Sequence, residues 1–456
     1  MWSYNQVKKT FTDYFINKGH TFVPESSLVP TNDNSLLFTN SGMVQFKDIF
    51  LGNTVPNYNT ACNSQKCIRA GGKHNDLDDV GKDSYHHTMF NMLGNWSFNY
   101  DPNSNNNNSY FKKNAIDMAW DLLVNVYKLD KERIYVTYFG GNTELKLQSD
   151  DETKGYWKQY LPENRILPFG MKENFWEMGY TGPCGPCTEI HYDKLGNRDA
   201  SSLVNRDDPT VIEIWNLVFM QFRRNEDGSL STLGKQHVDT GAGLERLVSI
   251  LQNCTNYEID IFNKIINIIR ETVDGPLYTN KYGSDDPKYI DMAYRVIADH
   301  TRTMILAIND GVVPSATERG YVVRRIIRRA VRYGTKLESR DGFLSKIVRN
   351  VIILMKDEYP ELAINCDKIT EIVSDEETKF SRVMRKGIRY FNKLTKDGNK
   401  EKVTMKQLFE LYTSFGFPID IIKQLCEEDG VKFDNNEYSR LMEEHVKISK
   451  EGKKFN

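Results

Sequence analysis

The chain has 456 residues, 39% hydrophobic and 12% aromatic, with a formal net charge of −2. That length supports two or three domains with a sizeable core, and its longest aliphatic run, residues 351–355, is far too short to cross a bilayer. Seven thinly spread cysteines exclude a disulfide framework and point to free thiols in the cytoplasm, and neither a secretory nor a mitochondrial leader is expected.

In chain order, "SYNQVKKTFTDYFINKG" reads as a helix with Val7, Phe11 and Phe15 on one face and Gly19 as its stop. Residues 67–93 read as a hairpin: a strand-like entry with Arg69, a glycine- and charge-rich loop, and a return with His86, His87 and Phe90. Such a hairpin suits a guanidinium held against phosphate and a ring stacked on a base. The polar run "NYDPNSNNNNSY" reads as a solvated insertion, and the helix after it is expected to bury Phe111, Ala115, Ala119, Leu122 and Val126. Strands are expected at 134–139 and 213–222.

Between these strands, "CGPC" at 184–187 is followed by His191, but one CxxC cannot close a structural zinc site. It is read as a pocket loop shaped by Gly182, Pro183, Gly185 and Pro186, and no zinc is expected. "HVDTGAGLERLVSIL" at 237–251 reads as strand, glycine turn and helix, with Gly241 and Gly243 admitting a close neighbour and Arg246 on the first helical turns.

Residues 1–255 thus form a mixed α+β domain, and 256–456 a mainly helical one with a loop at 273–288 and a fraying end, "KISKEGKKFN". Within the second, Val323, Ile326, Ile327, Ala330 and Val331 recur at helical spacing, with Arg324, Arg325, Arg328, Arg329 and Arg332 between them and Arg319 just before. Glu318 is the lone acid of residues 314–334, so the segment's charge is expected to be met by a phosphate polyanion.

"RAGGKHNDL" with "HHTMFNMLG" resembles motif 2 of class II aminoacyl-tRNA synthetases, and "DTGAGLER" resembles motif 3. "SSLVPTNDNSLLFTNSGMVQFKDIFLG", "NFWEMGYTGPCGPCTEI", "EIWNLVFMQF", "VIADHTR" and "RGYVVRRIIRRAVR" are together similar to the alanyl-tRNA synthetases, over about residues 5 to 445. The resemblance implies an antiparallel class II sheet flanked by helices, then a helical domain receiving the acceptor stem of tRNA(Ala). The substrates implied are L-alanine and ATP with Mg2+. Arg69 would hold the α-phosphate and Arg246 the γ-phosphate, with Asp76, Phe90, Gly241 and Gly243 around the nucleotide. Asp239 would take the ammonium of alanine, with Met43, Trp176, Asn216 and Val218 as pocket walls.

A small apolar pocket cannot strongly reject glycine or serine, and the family answers with a zinc-dependent editing domain carrying HxxxH and CxxxH ligands. The eight histidines include no HxxxH pair, so a minimal, monomeric synthetase without editing or C-terminal domains is expected, with an engineered catalytic fragment as the alternative. Two positions depart from the family's readers of a guanine-uracil wobble pair: Ala316 aligns with its asparagine and Thr413 with its aspartate. Dependence on that pair is therefore expected to be weakened or lost, unless Glu318 or Ser414 substitutes. Ala242 inside motif 3 leaves both glycines and Arg246 in place. Two rivals are an inactive synthetase-like protein, against which the set Arg69, Asp239 and Arg246 speaks, and an adenylating enzyme with another acceptor, against which the arginine helix speaks.

Overall fold

A computed structural model describes residues 2–31, 33, 36–71, 74–103 and 108–450. The hairpin tip at 72–73, residues 104–107 of the polar run and the last six residues lie outside the described residues. The chain divides into two compact units, residues 1–79 with 83–264, and residues 80–82 with 265–456.

The first unit opens with α1 (Tyr4–Asn17), which starts at a Ser3–Gln6 capping box, buries Val7, Phe11 and Phe15, and ends before Gly19 at φ 91°. β1 (Thr21–Phe22), α2 (Lys47–Phe50) and β2 (Thr60–Ile68) follow, and β3 (Ala70–Gly71) pairs with β4 (His74–Asn75) ahead of β5 (Met89–Tyr100). Next come α3 (Lys112–Trp120), β6 (Ile134–Phe139), α4 (Asp151–Trp157), β7 (Ile166–Phe169), α5 (Met171–Asn174) and β8 (Phe175–Glu177). Three long strands complete the sheet: β9 (Gly182–Asp193), β10 (Val211–Arg224) and β11 (Leu230–Gly243), the last running straight into α6 (Leu244–Leu251). The order is β1-β2-β5-β11-β10-β9-β6-β7 with β8 on β9, antiparallel except for β1 on β2 and β6 on β7. Both β2 and β9 are buried at every position, so helices and loops cover both faces there.

Three local expectations differ from the structure. Gly241 and Gly243 lie within β11 rather than in a turn, and neither has a positive φ. The requirement at Gly241 is clearance, because a Cβ there would stand 2.8 Å from Met92 Sδ. "CGPC" is the first half of β9 rather than a loop, with both cysteines buried. A Cβ on Gly185 would lie 2.0 Å from the Phe219 carbonyl oxygen, so glycine lets the strands approach, and the irregularity between Val218 and Phe222 in the β9–β10 register falls opposite Pro186. The helix after the polar run loosens into a π turn at Asp121–Val126; Val126 in that turn and Phe111 ahead of the helix are half-buried, while Ala115, Ala119 and Leu122 are buried.

α7 (Asp260–Thr272) leads into the second unit, whose core is α8 (Ile290–Asn309), buried at every position from Asp291 to Ile308. Against it pack α9 (Glu318–Gly334), α10 (Phe343–Met355) and the 35-residue α11 (Glu361–Thr395). α12 (Met405–Thr413), α13 (Ile419–Asp429) and α14 (Asn435–Lys450) follow.

The charge of α9 is met from a distance, which corrects the expectation of unmet charge. Arg325 Nε donates to Asp420 Oδ1 at 3.0 Å, and Arg329 pairs with the other oxygen of the same carboxylate. Arg328 Nε donates to Glu376 at 2.7 Å, and Arg332 Nη2 to Glu428 at 3.1 Å. All four side chains are at most 16% exposed. The acids sit on α11 and α13, about 50 to 100 residues further along the chain, where a count confined to residues 314–334 could not find them. Burial alone would raise the Asp420 carboxyl, but the Arg329 and Arg325 guanidiniums hold it at about 2. Behind them, Arg329 Nε donates to His300 Nε2 at 3.0 Å, so His300 is neutral with its other nitrogen donating to Asp299 at 2.9 Å.

Candidate active site

A cavity of about 530 Å3 opens in the first unit, on the face of the sheet where β5, β9, β10 and β11 lie side by side. Strand alternation aims Phe90 and Met92 of β5, Asn216 and Val218 of β10, and Asp239, Gly241 and Gly243 of β11 into it. Asn216 stands opposite Gly241, and Val218 opposite Asp239. Arg69 enters from the end of β2, Asp76 from the end of β4, Trp176 from β8 and Arg246 from the first turn of α6. Ten of the eleven nucleotide- and alanine-site residues expected in this unit line this one cavity. Met43 instead lies fully buried beneath it, in an apolar cluster with Trp96 and Val218 against which Trp176 packs.

Each arginine is oriented by an aromatic ring. The Arg69 guanidinium lies 5.0 Å from the Phe90 ring centre, and its Nε donates to the Asn40 carbonyl at 3.2 Å. That of Arg246 lies 5.5 Å from Tyr85, and its Nη1 donates to the Glu213 carbonyl at 3.1 Å. A cation–π contact holds a guanidinium over a ring without using its N–H donors.

At the apolar end, Trp96 Nε1 donates to Asp239 Oδ1 at 2.6 Å. Burial pushes the Asp239 carboxyl up to about 7, and the Trp96 bond restrains the rise. Asn216 Oδ1 is buried without a hydrogen-bond partner, so the two residues offer a cationic ligand a carboxylate and an open acceptor.

Sequence reasoning missed most of the cavity's acids. Glu189 and Glu213 line it, and burial together with the Glu189 charge raises the Glu213 carboxyl. Strict alternation would turn Glu213 away from Asn216, but a bulge between Glu213 and Trp215 brings Glu213 and Ile214 both to the cavity. Glu189 accepts from Asn205 Nδ2 at 2.9 Å and Glu245 from the Asn91 N–H at 3.1 Å, whereas Glu177 is paired with Arg224. His86, paired with Asp83, also lines the wall, and although burial opposes it that carboxylate keeps the imidazole's pKa raised. A polyphosphate entering so acidic a cavity needs a cation with it. Among the described residues no group of three or more His, Cys, Asp or Glu is arranged to hold a metal ion by itself.

The two positions aligned with the family's base readers lie in the second unit. Ala316 is exposed ahead of α9, and Thr413 ends α12 with its hydroxyl donating to the Phe409 carbonyl of its own helix at 3.5 Å. No helix of the described residues is long and apolar enough to cross a membrane.

Residues 6–456 match the family model described as tRNA synthetases class II (A). Over 99% of its length the chain is 53% identical to a protein of Dictyostelium discoideum named alanine--tRNA ligase, cytoplasmic, of which it covers 48%. It is 49% identical over 98% of its length to alanine--tRNA ligase of Candida albicans, covering 47% of that protein. To a Saccharomyces cerevisiae protein named alanine--tRNA ligase, mitochondrial, it is 48% identical over 99% of its length, covering 46%. The chain thus spans about half the length of these curated relatives. With its antiparallel sheet, its helical second unit and a match along nearly all of its residues, the chain belongs to the class II tRNA synthetases.

Proposed function

We propose that these residues activate L-alanine with ATP and transfer it to the 3′ end of tRNA(Ala). One observation carries the reading: a single cavity holds two ring-stacked arginines at one end and, at the other, the buried Asp239 with the unpartnered Asn216 oxygen beside a small apolar wall. In this reading the alanine ammonium meets Asp239 and Asn216, and its methyl group faces Val218 and Trp176. Arg69 takes the α-phosphate, Arg246 the far end of the triphosphate, and Phe90 lies beneath the adenine. A carboxylate oxygen attacks the α-phosphorus and pyrophosphate leaves. A ribose hydroxyl of the tRNA then attacks the acyl carbon and AMP leaves. No side chain acts as a covalent nucleophile, because positioning and fixed charge suffice. Mg2+ suits Glu189 and Glu213, whose mutual repulsion a divalent cation relieves, and when bound it would shield the phosphate oxygens.

The second unit is assigned to the acceptor stem. Arg319 and Arg324 are the proposed phosphate contacts on α9, with Arg324 29% exposed. Arg325, Arg328, Arg329 and Arg332 hold together the helices that carry the surface. Discrimination of the wobble pair is weak in this reading, since Ala316 has no hydrogen-bonding side chain and the Thr413 hydroxyl is engaged by its own helix.

Internal pairing of the α9 arginines removes them as an argument against an adenylating enzyme with another acceptor. Charging of tRNA, beyond pyrophosphate exchange, therefore decides. The test is alanine charging of two acceptor-stem transcripts of tRNA(Ala), one with the guanine-uracil pair and one with guanine-cytosine. Similar rates support the reading. No charging of either, with exchange intact, points to the other acceptor, and charging of the guanine-uracil transcript alone overturns the reading of Ala316 and Thr413.

A further inference from the structure

Ser41 stands at the N-cap of the short 3-10 turn Gly42–Phe46, in extended conformation at φ −157° and ψ 159°. A serine there ordinarily accepts a hydrogen bond from an N–H of the first turn. Ser41 makes no such bond. The residue is 4% exposed, lines the cavity, and its Oγ is buried without any hydrogen-bond partner. A buried hydroxyl left unpaired costs stability, and at a cavity wall a bound ligand can satisfy it.

The flanking residues fix where in the cavity this hydroxyl stands. On one side, the Asn40 carbonyl accepts from Arg69 Nε at 3.2 Å, and the Thr39 carbonyl accepts from the Ile68 N–H at 2.9 Å. On the other, Gly42 packs so closely on Trp96 that a Cβ there would lie 2.8 Å from the indole ring, and Trp96 Nε1 is the donor to Asp239. Ser41 is therefore bracketed by the guanidinium assigned to phosphate and by the carboxylate assigned to ammonium. In an amino acid whose ammonium rests on Asp239 and whose reacting end points to Arg69, the group between them is the carboxylate.

We propose that Ser41 is a positioning residue whose Oγ–H donates to the carboxylate of the bound amino acid and holds it for attack on the α-phosphorus. The inference rests on the reading of the cavity given above. The hydroxyl satisfies one carboxylate oxygen and leaves the other free to react. Because Oγ has no hydrogen-bond partner within the protein, its removal leaves no protein group unpaired.

The experiment compares Ser41→Ala with the unaltered chain in alanine-dependent ATP–pyrophosphate exchange, with competition by ethylammonium, which is alanine without its carboxylate. A hydrogen bond to a charged group is lost, so the KM for alanine is expected to rise about 10- to 100-fold. The ATP KM and the ethylammonium inhibition constant stay within about twofold, and the melting temperature of the ligand-free protein holds or rises. An unchanged alanine KM overturns the proposal. Equal weakening of alanine and ethylammonium also overturns it, by assigning the hydroxyl to the ammonium end, and a fall in melting temperature assigns it to the fold. If the unaltered chain shows no alanine-dependent exchange, the reading of the cavity fails and takes this inference with it, whereas normal exchange with an indifferent Ser41→Ala overturns the inference alone.

Discussion

In the proposed reading, Asp239 makes alanine binding depend on pH in a range where free alanine does not change charge. Its carboxyl is 6% exposed, has Trp96 Nε1 as donor at 2.6 Å, and is pushed by burial to about 7. Only the ionised form can pair with an ammonium. About a tenth of the molecules are ionised at pH 6 and about nine tenths at pH 8, so the KM for alanine should be roughly tenfold higher at pH 6. The assay is ATP–pyrophosphate exchange between pH 5.5 and 8.5, with the ATP KM followed in parallel. Calorimetry adds a second readout, with close to one proton released per alanine bound at pH 6 and almost none at pH 8. Trp96→Phe removes the donor that favours the ionised form, so it should move the midpoint upward by about one pH unit. A folded-state pKa above the ordinary 3.8 also means stability fully present below pH 4 and lost as pH rises towards 7, by roughly 4 kcal/mol. Asp239→Asn should therefore melt higher than the unaltered chain at pH 8 while losing alanine-dependent exchange. An alanine KM that is flat from pH 6 to 8, with no proton release, would refute the reasoning.

Asp420→Asn leaves Arg325 and Arg329 without their carboxylate, and should cost about 3–5 kcal/mol in denaturant melts while the remaining folded protein keeps its exchange activity. In the unaltered chain the Asp420 carboxyl, held at about 2, gives stability that is present above pH 4 and lost between pH 4 and 2, which acid titration of the melting temperature reads out at about 2 kcal/mol. Gly185→Ala places a methyl 2.0 Å from the Phe219 carbonyl oxygen and must part β9 from β10, so soluble yield and exchange should both collapse. Serine and glycine differ from alanine by one hydroxyl or one methyl, so the 456-residue chain assayed alone should form seryl- and glycyl-tRNA when alanine is withheld, as thin-layer analysis of the charged nucleotide would register.

Several elements were legible from local pattern alone. Helix α1 is announced by Val7, Phe11 and Phe15 at helical spacing and by Gly19 as its stop, and β6 by its run of β-branched and aromatic residues. Arg69 and Arg246 stand out in a hairpin and a glycine-rich segment, but their roles, and Asp239 altogether, come through motif resemblance, because nothing in the spacing of the two arginines brings them together; the sheet order does. Glu213 was hidden by a bulge that breaks strand alternation, and Ser41 by its place in an irregular stretch whose hydroxyl matters only for the bond it lacks. "CGPC" with the preceding Gly182 and Pro183 read as a loop because glycines and prolines ordinarily interrupt strands, and the close approach of Phe219, which requires a glycine at 185, shows only in the folded sheet. The arginine helix was placed correctly, but its charge balance depends on Glu376, Asp420 and Glu428, whose proximity exists only after the helices pack.

The most direct measurement is ATP–pyrophosphate exchange by the purified chain against each of the twenty amino acids. The account predicts vigorous exchange with alanine, weaker exchange with serine and glycine, none with larger side chains, and loss of the alanine signal in Arg69→Ala and Asp239→Asn. Exchange that favours a larger amino acid, or that survives both substitutions, would contradict it.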